Sequence, residues 1–320
     1  GAEPRVRDLA GRGASGQDES QRGMVPPEAA VLARSREEIE RVLRLAAEHA
    51  IPVTPRGAGT GRTGGALAVR GGLVLSTEAM RGIRLIDPDD RIAIVEPGVI
   101  TGDLQRAAEE QGLFYAPDPA SLAMCSPGGN VAENAGGPRA FKNGVTRDWT
   151  LGMTVTLMGG ETLKLGRKTP KGVTGYDLVA MFVGSEGTFG VTSDITVRLI
   201  GKPESAAALI AVMPDAVTAG RAVSAIIRRG FRPRALELMD RSSLDHVRSR
   251  ASFTFPEAAG ASPFPEPAGE ADGLESAIPR CGRPCPEPGA PQTPVARPDP
   301  PPHPPPRPPP PTPPAPAHPP

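Results

Sequence analysis

The sequence is poor in cysteine, in aromatic residues and in net charge. Three of its 320 residues are cysteine and 3% are aromatic. So few cysteines exclude the disulfide framework of a small secreted domain. Lysine plus arginine and aspartate plus glutamate both number 36, which gives a formal net charge of zero. Because the basic surface that marks nucleic-acid binding is absent from the composition, we expect no nucleic-acid partner.

Long hydrophobic runs are missing as well. No apolar run reaches the roughly 18 residues that a membrane-spanning helix needs, so we expect no transmembrane segment. The first 20 residues are polar and lack the apolar core of a signal peptide. A cytoplasmic protein is the resulting expectation.

Proline is distributed unevenly along the chain. Residues 1–255 hold 15 of the 41 prolines, and residues 256–320 hold the other 26. The composition and the patterning together predict four regions: an irregular segment at 1–25, a domain at 26–203, an incomplete second domain at 204–290 and a disordered tail at 291–320. From Pro298 onward we predict polyproline II. The abrupt change predicts a truncated or frameshifted C-terminus, and the alternative is a genuine proline-rich linker.

Hydrophobic periodicity predicts a chain of mixed α and β structure. Ser35 and Glu38 fit a capping box, and an apolar stripe at helical spacing follows them, so we predict a helix over 35–50. Further helices are predicted at 101–111 and 216–229. Strands are predicted at 51–55, 73–76, 83–86, 92–95, 153–158, 161–165, 189–200, 209–213 and 235–239, the last two in a β-α-β unit. The stretch 113–137 has little periodicity, and we predict a long functional loop there.

Three glycine-rich segments carry the chemical signal. The first, PRGAGTG at 55–61, follows a predicted strand, and its glycines allow several backbone N–H groups to turn toward one anion. It matches neither the P-loop pattern nor the Rossmann pattern, so ATP and nicotinamide dinucleotides are disfavoured. For this segment alone, a purely structural turn is the alternative.

The second and third segments extend the pattern. Two Gly-Gly pairs flank a short polar stretch in GGNVAENAGG at 128–137, where small residues admit a flat ligand and asparagine amides can bond to a heterocycle. GSEGTFG at 184–190 leads into a strand. Asp177 and Glu186 do not have the spacing of an acid–base pair, and we interpret them as solvated or capping carboxylates. Cys281 and Cys285 lie between prolines, and we predict no metal site there.

Together with APDPAS at 116–121 and TGYDL at 174–178, these segments resemble the vanillyl-alcohol-oxidase (PCMH-type) flavoproteins of the glycolate oxidase and D-lactate dehydrogenase group. The resemblance implies an α+β fold in which two α+β subdomains form an FAD-binding domain at 26–203, with a partial cap domain after it. Residues 56–61 would bind the pyrophosphate, residues 134–137 would lie near the isoalloxazine, and Glu186, Gly187 and Val191 would lie along the adenosine. The complete implied FAD site is Arg56, Gly57, Ala58, Gly59, Thr60, Gly61, Pro117, Asp118, Ser121, Gly128, Gly129, Asn130, Asn134, Ala135, Gly136, Gly137, Glu186, Gly187 and Val191. The first loop contains no histidine, so the FAD is expected to be non-covalent.

The same resemblance implies a function. Members of this group oxidise small 2-hydroxy acids such as glycolate or D-lactate, pass a hydride to flavin N5, and send electrons to an acceptor other than NAD. Flavin and iron–sulfur partner subunits, and attachment to a membrane through them, are implied as well. No segment matches the family's metal-binding histidine motif or its substrate arginine, so the catalytic residues are unassigned and weak turnover is expected. A non-catalytic FAD-binding or assembly subunit, or a gene remnant, is the alternative.

Overall fold

A computed structural model describes residue 13, residues 15–203, 213–248 and 260–266, and the backbone of five two-residue strands outside these ranges. The main described part contains two sheets, each with its own helices and hydrophobic core. The predicted polyproline tail from Pro298 lies outside the described residues.

The first sheet has four strands in the order β1-β2-β4-β3. They are β1 (Arg5–Val6), β2 (Ala29–Leu32), β3 (Val53–Arg56) and β4 (Leu73–Ser76). Both β2 and β3 pair with β4 in parallel, while β1 pairs with β2 in the antiparallel sense. Helix α1 (Arg36–Glu48) makes the crossover between β2 and β3, as parallel pairing requires.

Helix α1 forms where the sequence pattern predicts it. Ser35 is the N-cap, and its Oγ accepts a hydrogen bond from the Glu38 N–H at 3.3 Å. The Glu38 side chain reaches back to the Arg34 N–H at 2.9 Å, one residue before the predicted capping-box partner. The buried face of the helix consists of Ile39, Val42, Leu43 and Ala46. His49 is the C-cap, so this histidine ends a helix.

The second sheet has five antiparallel strands in the order β5-β6-β10-β8-β9. They are β5 (Ile83–Asp87), β6 (Ile92–Val95), β8 (Thr150–Thr156), β9 (Thr162–Gly166) and β10 (Val191–Arg198). All seven residues of β8 are buried, and β10 alternates between buried and partly exposed residues. The sheet is therefore covered on both faces at β8, and the larger hydrophobic core packs on one of them.

Short elements lie in the sequence between strands of the second sheet. They are α2 (Thr101–Glu109), β7 (Leu113–Phe114), α3 (Pro127–Glu133), α4 (Ala140–Asn143), α5 (Thr146–Trp149) and α6 (Leu178–Phe182). The long loop predicted at 113–137 is therefore corrected, because it contains β7 and α3. The pattern did not reveal α3 because glycine and asparagine have low helix propensity, whereas Pro127 suits the first turn of a helix.

The C-terminal part contains small paired strands and two helices. These are β11 (Ile200–Gly201), β12 (Ser205–Ala206), β13 (Ala208–Leu209), α7 (Ala216–Arg228), β14 (Ala235–Asp240), α8 (Arg241–Val247), β15 (Ala261–Glu266), β16 (Ala268–Gly269) and β17 (Val295–Ala296). The predicted strand–helix–strand order is present as β13, α7 and β14, and β14 pairs with β15 in the antiparallel sense.

The predicted strand at 209–213 is present as β13 and a single bridge at Met213. Strand β1 lies within the predicted N-terminal segment 1–25, and β17 lies within the predicted tail 291–320 and pairs with β13. Both β1 and β17 are two-residue strands, too short for hydrophobic periodicity to reveal.

Candidate functional site

A cavity of about 410 Å³ lies where the three glycine-rich segments meet. The loop after β3 forms one wall, the start of α3 and the turn before it form a second, and the segment from α6 to β10 forms the third. Residues that are 130 positions apart in the sequence therefore share one concave surface.

The loop after β3 presents backbone donors to this cavity. Gly57, Ala58, Gly59, Thr60 and Gly61 all line it. Within the described chain, the N–H groups of these five residues donate to no carbonyl of the protein. Gly59 has a positive φ of 72°, which glycine adopts without strain. The loop can therefore direct several N–H groups toward one anionic ligand.

Buried side chains hold the second wall in place. Thr101 lies at the start of α2, and its Oγ1 accepts a hydrogen bond from Asn130 Nδ2 at 2.8 Å and lies 3.2 Å from the Cys125 carbonyl. Gln105, one turn later, donates from Nε2 to the carbonyls of Tyr115 and Pro117 at 3.0 and 2.7 Å. Helix α2 thus fixes the turn that precedes α3.

The third wall is joined to α3 through the backbone. The N–H groups of Gly184 and Glu186 donate to the carbonyls of Val131 and Ala132 at 2.9 and 2.8 Å. Phe182 lines the cavity and packs edge-on against Phe189, with the ring centroids 5.7 Å apart. These contacts hold the third glycine-rich segment against the second without a bound ligand.

The structure brings most of the sequence-predicted site residues together. Fourteen of the nineteen line the cavity: Arg56, Gly57, Ala58, Gly59, Thr60, Gly61, Ser121, Gly128, Gly129, Asn130, Ala135, Glu186, Gly187 and Val191. Their individual contacts with a cofactor remain predictions.

The other five predicted residues are not among those that line the cavity, and two clear cases show why. Asp118 pairs with Arg139, with 3.1 Å between Oδ2 and Nε. Asn134 is the C-cap of α3, and its Oδ1 accepts a hydrogen bond from the Arg147 N–H at 2.9 Å. Both side chains support the loops around the cavity. The remaining three are Pro117, Gly136 and Gly137.

Sequence reasoning missed several cavity residues. Glu133 lies inside a recognised motif, but its role was not distinguished from that of its neighbours. Thr77 and Pro97 line the cavity from turns that carry no glycine-rich signal. The Thr77 N–H donates to the Arg56 carbonyl at 3.0 Å, so only the pairing of β3 with β4 places it at the site.

One carboxyl group in the cavity has a shifted pKa. Removal from water raises the pKa of Glu133, and the carboxylates of Glu186 and Asp18 raise it further. The hydroxyl of Thr63 opposes this shift. Glu133 therefore keeps its proton at a higher pH than an ordinary glutamate.

Comparison with known proteins identifies two domains in the chain. Residues 27–166 match the FAD binding domain, and residues 202–285 match the C-terminal domain of FAD linked oxidases. The chain carries an FAD binding domain followed by the C-terminal domain of FAD linked oxidases. FAD, the cofactor predicted from the resemblance, is thereby confirmed.

Two relatives show the degree of similarity. The chain is 43% identical to glycolate oxidase subunit GlcD of Bacillus subtilis over 235 residues, which are 73% of the chain and 50% of the relative. It is 41% identical to D-lactate dehydrogenase of Anaerostipes hadrus over 219 residues, which are 68% of the chain and 46% of the relative. The chain thus matches about half the length of these relatives.

A solved structure supports the fold class. An alkyldihydroxyacetonephosphate synthase superposes with a TM-score of 0.72 at 19% identity, covering 86% of this chain and 55% of the synthase. This likeness confirms the predicted PCMH-type α+β fold.

The described residues fit FAD in two respects. A Cβ on Gly128 would stand 2.6 Å from Pro97 Cβ and 3.0 Å from the Pro97 carbonyl oxygen, so the backbone at the start of α3 has room for glycine and not for a larger residue. The N–H groups of residues 57–61 donate to no carbonyl of the described chain, so they are available to a phosphate group. None of the described lining residues is histidine, cysteine or tyrosine, and non-covalent binding of FAD stays a prediction.

Among the described residues, no group of three or more His, Cys, Asp or Glu side chains is placed to hold a metal ion. None of the helices in this part combines the length and apolar character needed to cross a membrane.

Proposed function

We propose that this protein is an FAD-dependent oxidoreductase of small 2-hydroxy acids, with glycolate and D-lactate as the candidate substrates. The observation that supports this most strongly is the convergence of the three glycine-rich segments on one cavity in a chain that carries an FAD binding domain. The names of the two relatives supply the substrate class.

The chain's own residues would bind and orient the cofactor. The loop at 57–61 would hold the pyrophosphate through backbone N–H groups, as glycine-rich loops do for other phosphates. The small residues at the start of α3 would let the backbone approach the flat ring system. When bound, FAD supplies the hydride acceptor for oxidation of the hydroxyl-bearing carbon.

The electron acceptor belongs to the same proposal. No lining segment has the Rossmann or P-loop pattern, so we propose an acceptor other than NAD. One relative is named as a subunit, which supports flavin and iron–sulfur partner subunits as the route by which electrons leave.

An anaerobic absorbance experiment tests the proposal. The purified protein is reconstituted with FAD, freed of excess cofactor, and titrated with glycolate, D-lactate and D-2-hydroxyglutarate, the last being the substrate that names a further relative. We expect the oxidised flavin band to bleach with at least one of these acids. L-lactate and acetate, which lacks the hydroxyl group, serve as controls.

Each outcome has a distinct meaning. Bleaching by one acid identifies the substrate. Bound flavin that none of the acids bleaches would contradict the oxidoreductase proposal and favour the FAD-binding or assembly subunit. Failure of the folded protein to bind FAD would contradict both.

A further inference from the structure

Three cofactor-site segments meet at one threonine beside the cavity. Thr63, in the loop after β3, places its Oγ1 3.3 Å from Glu186 Oε2 and 3.5 Å from Glu133 Oε1. Glu133 ends α3, and Glu186 belongs to the segment before β10. This Thr63–Glu133–Glu186 junction is therefore the point where side chains from all three cavity walls come together.

The junction lies at the solvent-exposed edge of the cavity, and the side chains of Thr63, Glu133 and Glu186 are all exposed. A Cβ on Gly61 would stand 2.6 Å from Glu133 Oε1, and one on Gly65 would stand 3.4 Å from Glu186 Oε2. Glu186 itself has a positive φ of 51°, a conformation that is unfavourable for residues with a Cβ. Its carboxylate is thus directed toward the loop at the cost of an unfavourable backbone conformation.

The hydrogen bonds that the junction can form depend on one proton. A threonine hydroxyl carries a single hydrogen, and an ionised carboxylate has none to donate. With both glutamates ionised, Thr63 can satisfy only one of them, and two negative charges face each other. With Glu133 protonated, its O–H can donate to Thr63 Oγ1 while Thr63 donates to Glu186, so that every group in the chain is satisfied.

The charged surroundings favour the protonated form. Asp18 and Glu186 act on Glu133 electrostatically, and both disfavour its ionisation. Glu19 and Arg62 line the same cavity, and Arg22 lies against Gly64. An FAD pyrophosphate would add further negative charge beside the same loop.

We propose that Glu133, Thr63 and Glu186 form a proton-dependent clasp that positions the glycine-rich loop for FAD. With Glu133 protonated, the hydrogen bonds from Glu133 to Thr63 and from Thr63 to Glu186 both form, and the clasp is closed. When Glu133 ionises, the first of these bonds is lost and the clasp opens. This inference rests on FAD being the ligand of the cavity. Glu133 is a positioning residue, because it acts on the cofactor through Thr63 and the loop.

The direction of the pH dependence follows from the raised pKa of Glu133. Stabilisation by a group with a raised pKa is present below the ordinary carboxyl range and is lost as the pH rises through the raised value. If only the protonated clasp is competent, the apparent Kd for FAD rises by up to about tenfold for each pH unit above that pKa.

The test is a titration of the apoprotein with FAD at pH values between about 4 and about 8, with binding measured by the quenching of flavin fluorescence. This range spans the ordinary carboxyl pKa and values well above it. We expect the wild-type Kd to rise with pH. We expect Glu133→Gln to bind FAD with a flat pH profile, because the amide donates to Thr63 at every pH. We expect Thr63→Val to bind more weakly than the wild type at low pH and similarly at high pH.

A matched control exists elsewhere in the chain. Thr162 donates from Oγ1 to Glu40 Oε1 at 2.7 Å, so this is also a threonine–glutamate pair, and it lies outside the cavity lining. Glu40→Gln should leave the pH profile of FAD binding as it is in the wild type. Circular dichroism at each pH verifies that every variant is folded.

Two results would overturn the clasp. One is a wild-type Kd that does not change with pH, and the other is a Glu133→Gln variant that keeps the wild-type slope. Absence of FAD binding by folded wild type at every pH would overturn the FAD-binding proposal itself, which distinguishes the two failures.

Discussion

Two serines stand at N-cap positions, and only one of them caps its helix. The Oγ of Ser35 accepts a hydrogen bond from Glu38 at the start of α1. Ser126 precedes α3, but its side chain makes no capping bond, and its buried Oγ has no hydrogen-bond partner among the described residues. A Cβ on Gly57 would stand 3.0 Å from this oxygen. The same residue type thus has different roles at two equivalent positions.

This difference predicts that two alanine substitutions change the free energy of unfolding by different amounts. Ser35→Ala should lower the free energy of unfolding by about 1 kcal/mol, because a capping bond is lost. Ser126→Ala should change it by less than about 0.5 kcal/mol, because no bond is lost. Urea denaturation of the two variants beside the wild type measures both values. A loss of about 1 kcal/mol for Ser126→Ala would show that the hydroxyl has a structural bond.

At the scale of elements, α2 determines the position of the second cavity wall. Gln105 is buried, and its amide is the donor for two carbonyls of the turn after β7. Tyr115, the first of these acceptors, is buried against Trp149, with the ring centroids 6.0 Å apart in an edge-on arrangement. One helix therefore anchors the chain on which Ser121 and the start of α3 depend.

Removal of this anchor should affect both stability and binding. Gln105→Leu leaves two buried carbonyls without their donor, and each unsatisfied group costs about 1–3 kcal/mol. We expect a lower free energy of unfolding in urea and a weaker FAD affinity in the fluorescence titration. Gln111→Leu serves as the control, because Gln111 lies in the exposed turn after α2. An unchanged FAD affinity in Gln105→Leu would show that the wall forms without the anchor.

The elements themselves were largely predictable from local pattern. The strands at 73–76 and 92–95 have the predicted bounds, and β8 and β9 form the predicted hairpin. These segments follow the periodicity of buried residues, which is a property of neighbouring positions. Strand β2 was not predicted, since it begins with two alanines, which have low strand propensity.

At the scale of the whole molecule, the cavity lies between parts that carry separate cores. The loop after β3 belongs to the sheet with the smaller core, whereas the segment before β10 leads into the sheet with the larger one. A ligand in the cavity therefore contacts residues next to both sheets and should stabilise the packing of the two sheets against each other.

This arrangement predicts a thermal shift on cofactor binding. A ligand that binds only the folded state at 100 times its Kd stabilises that state by about 2.7 kcal/mol. We expect the unfolding midpoint of the apoprotein to rise with FAD concentration. NAD, which shares the adenosine diphosphate part, should give a much smaller shift at the same concentration. Equal shifts with both nucleotides would contradict a site selective for FAD.

The sequence by itself determined the glycine-rich segments, the mixed α and β composition and the resemblance to FAD-linked oxidases. Those features depend on residue types at fixed local spacing, which remain readable without coordinates. Only the tertiary structure decided that Asp118 and Asn134 support loops, that Glu133 and Glu186 meet at Thr63, and that β14 pairs with β15. These facts depend on strand pairing and side-chain packing between distant positions, and local patterns carry no information about the three-dimensional path that brings them together.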